Sequence, residues 1–183
     1  MTTDTLSLFF AMLALACGAA VLVAVVLALV ARPTLARVAT AVQPVALWLA
    51  WAVALVATLG SLYYSEVAHF IPCTLCWYQR IAMYPLAIVV GIAAFRRDGG
   101  IWRYAVPVAA IGLAISIYHT FMEWFPNLDA GFCTADVPCS AAYVTEFGFV
   151  GIPFMAGSGF AIIIVLLLVA RYHRATPSPE TPV

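Results

Sequence analysis

The chain has 183 residues, of which 66% are hydrophobic and 9% charged, and its mean hydropathy is +1.07. Soluble domains carry about 25% charged residues, so this composition excludes a soluble globular fold and points to one membrane domain of a few helices. The formal net charge is zero, every basic residue is an arginine, and no basic cluster or recognition motif occurs, which argues against a nucleic-acid partner.

In chain order, Thr5 to Ala31 and Val38 to Ser65 contain no charged residue. A third apolar run extends from Cys76 to Phe95, broken only by Arg80, and Tyr104 to Met122 and Phe147 to Ala170 complete the set. A spanning helix needs roughly 20 mainly apolar residues, so five transmembrane helices are expected. Pro85 is placed to kink the third, whereas Pro107 sits near the start of the fourth, where proline is tolerated. The first segment carries Asp4 instead of a basic n-region, and its apolar run exceeds that of a signal peptide, so it reads as a retained helix. Gly157 and Gly159 in the fifth segment suit close helix approach.

Arginine placement gives an orientation. Arg32 and Arg37 lie between the first two segments, Arg96, Arg97 and Arg103 between the third and fourth, and Arg171 and Arg174 after the fifth. The positive-inside rule puts these alternate loops in the cytoplasm. The opposite side receives Asp4, Glu66, Glu123, Asp129, Asp136 and Glu146 with a single arginine, Arg80. The N-terminus is therefore expected outside, the C-terminus inside, and both cysteine-bearing loops outside. The proline-containing stretch 175–183 reads as a disordered cytoplasmic tail. The stretch from Glu123 to Glu146, with Pro126, Gly131 and Pro138, is the one long segment outside the membrane.

Chemistry concentrates in two places. Cys73 and Cys76 are separated by two residues at the expected start of the third helix, where unpaired N–H groups and the positive dipole end favour a thiolate. Cys133 and Cys139 lie in the long outer loop with five residues between them. Three readings stay open on the residues alone: two structural disulfides, a four-cysteine zinc site, and two disulfides that exchange with each other and with a partner. Arg80, one helical turn beyond Cys76, either snorkels to the headgroups or supplies a fixed cation beside a thiolate. Trp77, Tyr78 and Tyr84 read as interfacial aromatics, His119 as a packed, hydrogen-bonded histidine, His69 and His173 as structural or interfacial, and Cys17 as a buried, inert thiol.

The segment Cys73-Thr74-Leu75-Cys76-Trp77-Tyr78-Gln79-Arg80, then Met83-Tyr84-Pro85, Val137-Pro138-Cys139-Ser140, Phe147-Gly148-Phe149 and Ile152-Pro153-Phe154 resemble the bacterial disulfide bond formation proteins of the DsbB/BdbC type, closest to the short-loop BdbC-like branch. The resemblance covers roughly Pro44 to Tyr172 and implies an all-α four-helix transmembrane bundle plus one extra N-terminal transmembrane helix. The expected division is 1–37 for that helix and its cytoplasmic loop, 38–174 for the four-helix domain and 175–183 for the tail. The family pattern begins near the second helix, so the first is an addition, and some members space the loop cysteines much further apart.

By that resemblance the chain is a quinone-dependent protein-disulfide oxidoreductase of the bacterial cytoplasmic membrane. It would re-oxidise a DsbA-like, thioredoxin-like extracytoplasmic thiol oxidase and pass electrons to ubiquinone or menaquinone, supporting disulfide formation in exported proteins. Cys133 would form the mixed disulfide with the partner, Cys139 would attack the Cys73–Cys76 disulfide at Cys73, and Cys76 would face the quinone with Arg80 binding that cofactor; no metal is expected. A membrane thiol reductase of the vitamin K epoxide reductase type and a non-enzymatic membrane protein with structural disulfides are the alternatives.

Overall fold

The computed structural model describes residues 3–125, 133 and 138–171. Among them, five helices are long and apolar enough to cross a membrane. The expected tail, with His173 and Arg174, and the loop positions Pro126, Asp129, Gly131 and Asp136 lie outside the described residues.

The first helix, α1 (Thr3–Val30), matches the uncharged run that predicts it. The next stretch is not a plain loop. Pro33 occupies a first-turn position, where its missing N–H costs nothing, and starts a short helix α2 (Arg32–Val42). A 3-10 turn around Pro44 leads into α3 (Ala46–Leu62), which ends in a π-helical turn, Tyr63–Val67. Helix α4 (Thr74–Arg96) contains Pro85 and stops at Arg97, whose left-handed backbone (φ 54) closes the helix. Asp98 Oδ1 then accepts the Gly100 N–H at 2.8 Å, and a single 3-10 turn passes directly into α5 (Trp102–Trp124).

The last apolar segment corrects its expected start at Phe147. Thr145–Glu146 (β1) pairs antiparallel with Val150–Gly151 (β2), and Phe147 and Gly148 both have positive φ (52 and 76), so no helix passes through them. Helix α6 (Ile152–Ala170) begins only after this hairpin. Hydropathy cannot make that distinction, because the apolar turn and second strand, 147–151, read like one more turn of helix.

Helices α3, α4, α5 and α6 pack as a ring of neighbours, and α1 lies against α6. The core of the ring mixes small residues (Ala50, Ala54, Ala82, Ala109) with Leu86, Val90, Phe160, Ile163 and Leu167. Lipid tails are as apolar as these side chains, so the helices are held by close packing, which small residues permit. Gly157 serves this purpose: a Cβ there would stand 3.3 Å from the Ser116 Cβ on α5, while one at Gly159 would make ordinary contacts with Met83 and Val53. Gly112 is stricter. A Cβ there would run into the ring of the fully buried Phe160. Gly112→Ala should therefore destabilise the bundle by about 1–3 kcal/mol, the usual cost of overpacking. A thermal melt in detergent checks this, and an unchanged midpoint would show that the α5–α6 seam has room to spare.

Helix direction sorts the charges. The end formed by Val30, α2, Arg96–Arg103 and Ala170–Arg171 carries Arg32, Arg37, Arg96, Arg97, Arg103 and Arg171, and Arg171 lies 5.3 Å over the Trp102 ring. The other end carries Asp4, Glu66, Arg80, Glu123, Glu146, the Cys73–Cys76 pair and the Cys133–Cys139 pair.

Candidate functional site

Cys73 is the N-cap of α4. Its extended backbone (φ −71, ψ 172) precedes the first helical turn, and its Sγ accepts the Cys76 N–H at 3.3 Å. The Cys-x-x-Cys spacing thus gives one sulfur a cap bond and sets the second one turn deeper. The two Sγ atoms are 2.8 Å apart. A hydrogen bond from the Cys76 thiol holds the Cys73 thiol down to about 4, well below the ordinary thiol range; burial opposes this, and His119 adds to it through a hydrogen bond and its charge.

The loop pair comes to this cap. Cys133 and Cys139 form a disulfide whose Cα atoms are 5.8 Å apart. Cys139 is buried with Cys73, Leu75 and Met122 in one small cluster, against which Cys76, Cys133, Ile115 and Tyr118 pack. The Cys73 and Cys139 sulfurs and a His119 ring nitrogen all lie within 4.8 Å of one another. These are ligand-type atoms, but the Cys139 sulfur is already bonded to Cys133 and offers no thiolate, so the trio is a disulfide, a thiol and an imidazole side by side.

His119, buried near the end of α5, holds this arrangement. Its Nε2 is 3.1 Å from the Cys139 carbonyl oxygen and 3.6 Å from Cys73 Sγ, and its Nδ1 is 3.2 Å from Gln79 Nε2. With the Gln79 amide facing Nδ1, the Nε2 side of the ring is shared between the loop carbonyl and the Cys73 sulfur. His119 is packed and hydrogen-bonded as its sequence position suggests, and its partners are the two cysteine pairs. Gln79 is a site residue that the sequence reading missed. The available signal was its position three residues after Cys76, on the same helical face. His69 is exposed with φ 55 and makes no such contact in the site.

On the other side of α4 is a cleft of about 300 Å³ between α1, α3, α4 and α6. Cys76, Gln79, Arg80 and Tyr84 line it together with the apolar Val53, Val56, Met83 and Phe160; Cys73 does not. Arg80 is half-buried. Its Nη2 donates to the Ser61 carbonyl at 3.0 Å in the last turn of α3, where a cation also faces the negative helix end, and its guanidinium lies 5.3 Å over the Trp77 ring. Tyr84 Oη donates to Ser61 Oγ at 3.3 Å, while Trp77 and Tyr78 are exposed as interfacial aromatics would be. At the dithiol end the cleft meets a ladder of rings: Tyr64 stacks on Phe70 (5.6 Å, 9°) and Phe70 on Tyr143 (4.8 Å, 12°). Cys17 is a free thiol, half-buried, and lines the cleft instead of being sealed in a core.

The two pairs therefore meet at Cys73, and the helix pair reaches from the loop disulfide to an apolar cleft. Comparison with known proteins gives the family. Residues 43–173 match the family model described as "Disulfide bond formation protein DsbB". The chain belongs to the DsbB family. Among its relatives, "Disulfide bond formation protein C" of Bacillus subtilis is 47% identical over 131 residues, which make up 70% of this chain and 94% of the relative. "Probable disulfide formation protein C 1" of Bacillus cereus is 48% identical over 124 residues, 67% of this chain and 89% of the relative. "Probable disulfide formation protein" of Oceanobacillus iheyensis is 46% identical over 128 residues, 68% and 88%. No solved structure matches the chain. As a DsbB-family member with five spanning helices, the protein is a multi-pass membrane protein of disulfide formation, and its cysteines place it among the disulfide oxidoreductases.

Proposed function

We propose that this protein re-oxidises an extracytoplasmic, thioredoxin-like thiol oxidase and passes the electrons to a membrane quinone. One observation carries the reading: Cys73 faces the loop disulfide and Cys76 faces the apolar cleft, so a single Cys-x-x-Cys connects two otherwise separate compartments. A structural pair would have no need of two neighbours.

The partner's thiolate attacks the Cys133–Cys139 disulfide at Cys133, forming a mixed disulfide and releasing Cys139. The partner's second thiol resolves it, leaving the partner oxidised and the loop pair with two electrons and two protons. Cys139 then attacks Cys73, the Cys73–Cys76 bond breaks, and Cys76 leaves. Cys133 attacks Cys139, restores the loop disulfide and expels Cys73 as a thiolate. A thiol of low pKa leaves fastest, and Cys73, held near 4, is suited to that last expulsion. His119 serves both steps: its Nε2–H holds the Cys139 carbonyl against Cys73 and stabilises the departing sulfur.

The cleft fits a quinone: its walls are mostly apolar, and among its polar groups Cys76, Gln79 and Arg80 lie on α4 within two turns of one another. When bound, a quinone supplies the terminal two-electron oxidation of the dithiol. Ubiquinone and menaquinone share the carbonyl chemistry that Arg80 would meet. The clustering of arginines at the end away from the cysteines supports a cytoplasmic C-terminus, with both pairs outside, in a bacterial cytoplasmic membrane.

The direct test mixes purified protein, a quinone and a reduced thioredoxin-like partner and follows loss of quinone absorbance. No loss with a competent partner would remove the quinone step. Arg80→Ala is expected to raise the apparent quinone KM about tenfold, corresponding to one lost charge-assisted contact, with little change in partner exchange. An unchanged KM would return Arg80 to a role in anchoring α4 to Ser61.

A further inference from the structure

The DsbB match begins at residue 43, and the 131 residues shared with the Bacillus subtilis relative make up 94% of it, so that protein has no room for a helix of 28 residues such as α1. The four-helix domain accounts for the cysteine chemistry without it. Yet α1 is not a bystander on the lipid face. Phe10, Leu13, Ala14 and Cys17 recur at helical spacing, which puts them on one face, and all four line the cleft that also holds Cys76 and Arg80.

Three further observations fix that face in place. Ser7 is buried, a cost in an apolar setting unless it is bonded, and it accepts the Tyr64 hydroxyl at 3.1 Å. Phe10 extends the ring ladder at the dithiol end, 6.0 Å from Tyr64. Phe10 also presses on Gly60 of α3, where a Cβ would stand 2.9 Å from its ring, so the approach depends on a residue without a side chain. The rest of the helix, from Leu22 to Val30, is largely exposed, as lipid-facing residues would be. The half of α1 that is held is the half that faces the cleft.

We infer that α1 is an added wall of the quinone site: Phe10, Leu13, Ala14 and Cys17 close the side of the cleft that a four-helix relative leaves to lipid, and they contact the bound quinone. This rests on the quinone reading above. It makes the helix a determinant of quinone binding rather than an anchor.

The test uses the full chain. A variant with Cys73, Cys76, Cys133 and Cys139 all replaced by serine keeps Cys17 as its one thiol, which a membrane-permeant maleimide labels in detergent micelles. A decyl-tailed benzoquinone with every ring position substituted cannot itself add to a thiol, and it is expected to slow labelling at least threefold. In parallel, Ala14→Phe in the otherwise native chain, which fills the cleft from the α1 side, is expected to raise the KM for the same quinone at least tenfold. Leu29→Phe, on the exposed end of α1, should leave that KM unchanged. Labelling that quinone does not slow overturns the inference, as does an Ala14→Phe protein that folds and keeps the native KM. If Ala14→Phe does not fold, the labelling result decides alone. If the native chain reduces no quinone at all, the failure lies in the quinone reading itself and not in the placement of α1.

Discussion

Cys76→Ser is expected to abolish quinone reduction, a loss of about a thousandfold or more, because removing the sulfur that undergoes the chemistry cannot be offset by its neighbours. Cys76 lines the cleft, whereas Cys73 is buried against Cys139 on the other side. The substitution therefore separates two activities. A single turnover of the loop disulfide with reduced partner should survive, since Cys133 and Cys139 are untouched, and it should be visible as one equivalent of oxidised partner. The internal transfer cannot follow, because Cys73 has no disulfide to exchange, and the two electrons of that turnover should stay on the loop pair as free Cys133 and Cys139 thiols, countable with a maleimide. Normal turnover of quinone by Cys76→Ser would show that the cleft is not the electron exit.

His119→Ala is expected to slow internal transfer roughly 100-fold, the lower range for loss of a positioned proton donor. The histidine does two things at once: it bonds the Cys139 carbonyl at 3.1 Å and faces the Cys73 sulfur at 3.6 Å. Its removal also has a pH signature. Cys73 is held down first by the Cys76 thiol and further by His119, so alkylation of Cys73 in the reduced native protein should be nearly independent of pH above about 5. In His119→Ala the midpoint should move up. The sign for stability follows from the same depression. A thiol whose folded pKa lies below its unfolded value, about 8.5, stabilises the reduced protein above that value. That contribution shrinks as pH falls from about 8.5 through 4, and the decline should be shallower in His119→Ala. His119→Gln, which keeps a donor, should recover part of the rate but not the midpoint. A rate and a midpoint that both stay at native values would make His119 a packing residue of the α4–α5 seam.

Several features follow from one residue or one segment at a time. A run of apolar residues makes a spanning helix whatever surrounds it, which is why all five spans are legible, and the arginine asymmetry comes from the loops alone. The Cys-x-x-Cys at a helix start is equally local: three residues of spacing and the change from polar to apolar put Cys73 at the cap and Cys76 in the first turn. The misreadings are also instructive. The stretch with Arg32 and Arg37, expected as a loop, is the short helix α2, because Pro33 fits its first turn. The Phe147–Gly148 turn is hidden inside an apolar stretch because φ is not written in hydropathy.

By itself, the sequence determined that this is a membrane protein of five apolar helices with two cysteine pairs and one arginine on the same side. Only the tertiary structure decided which sulfur looks which way. The approach of His119 and Gln79 to Cys73, the burial of Cys139 beside them and the α1 wall of the cleft join residues tens of positions apart. Such contacts depend on how closely helices pack, and closeness is set by small residues such as Gly60 and Gly112 against large ones such as Phe10 and Phe160. The Cys-x-x-Cys supplies reactive chemistry from a few adjacent residues. Its place between a loop disulfide and an apolar cleft is a property of the packed helices.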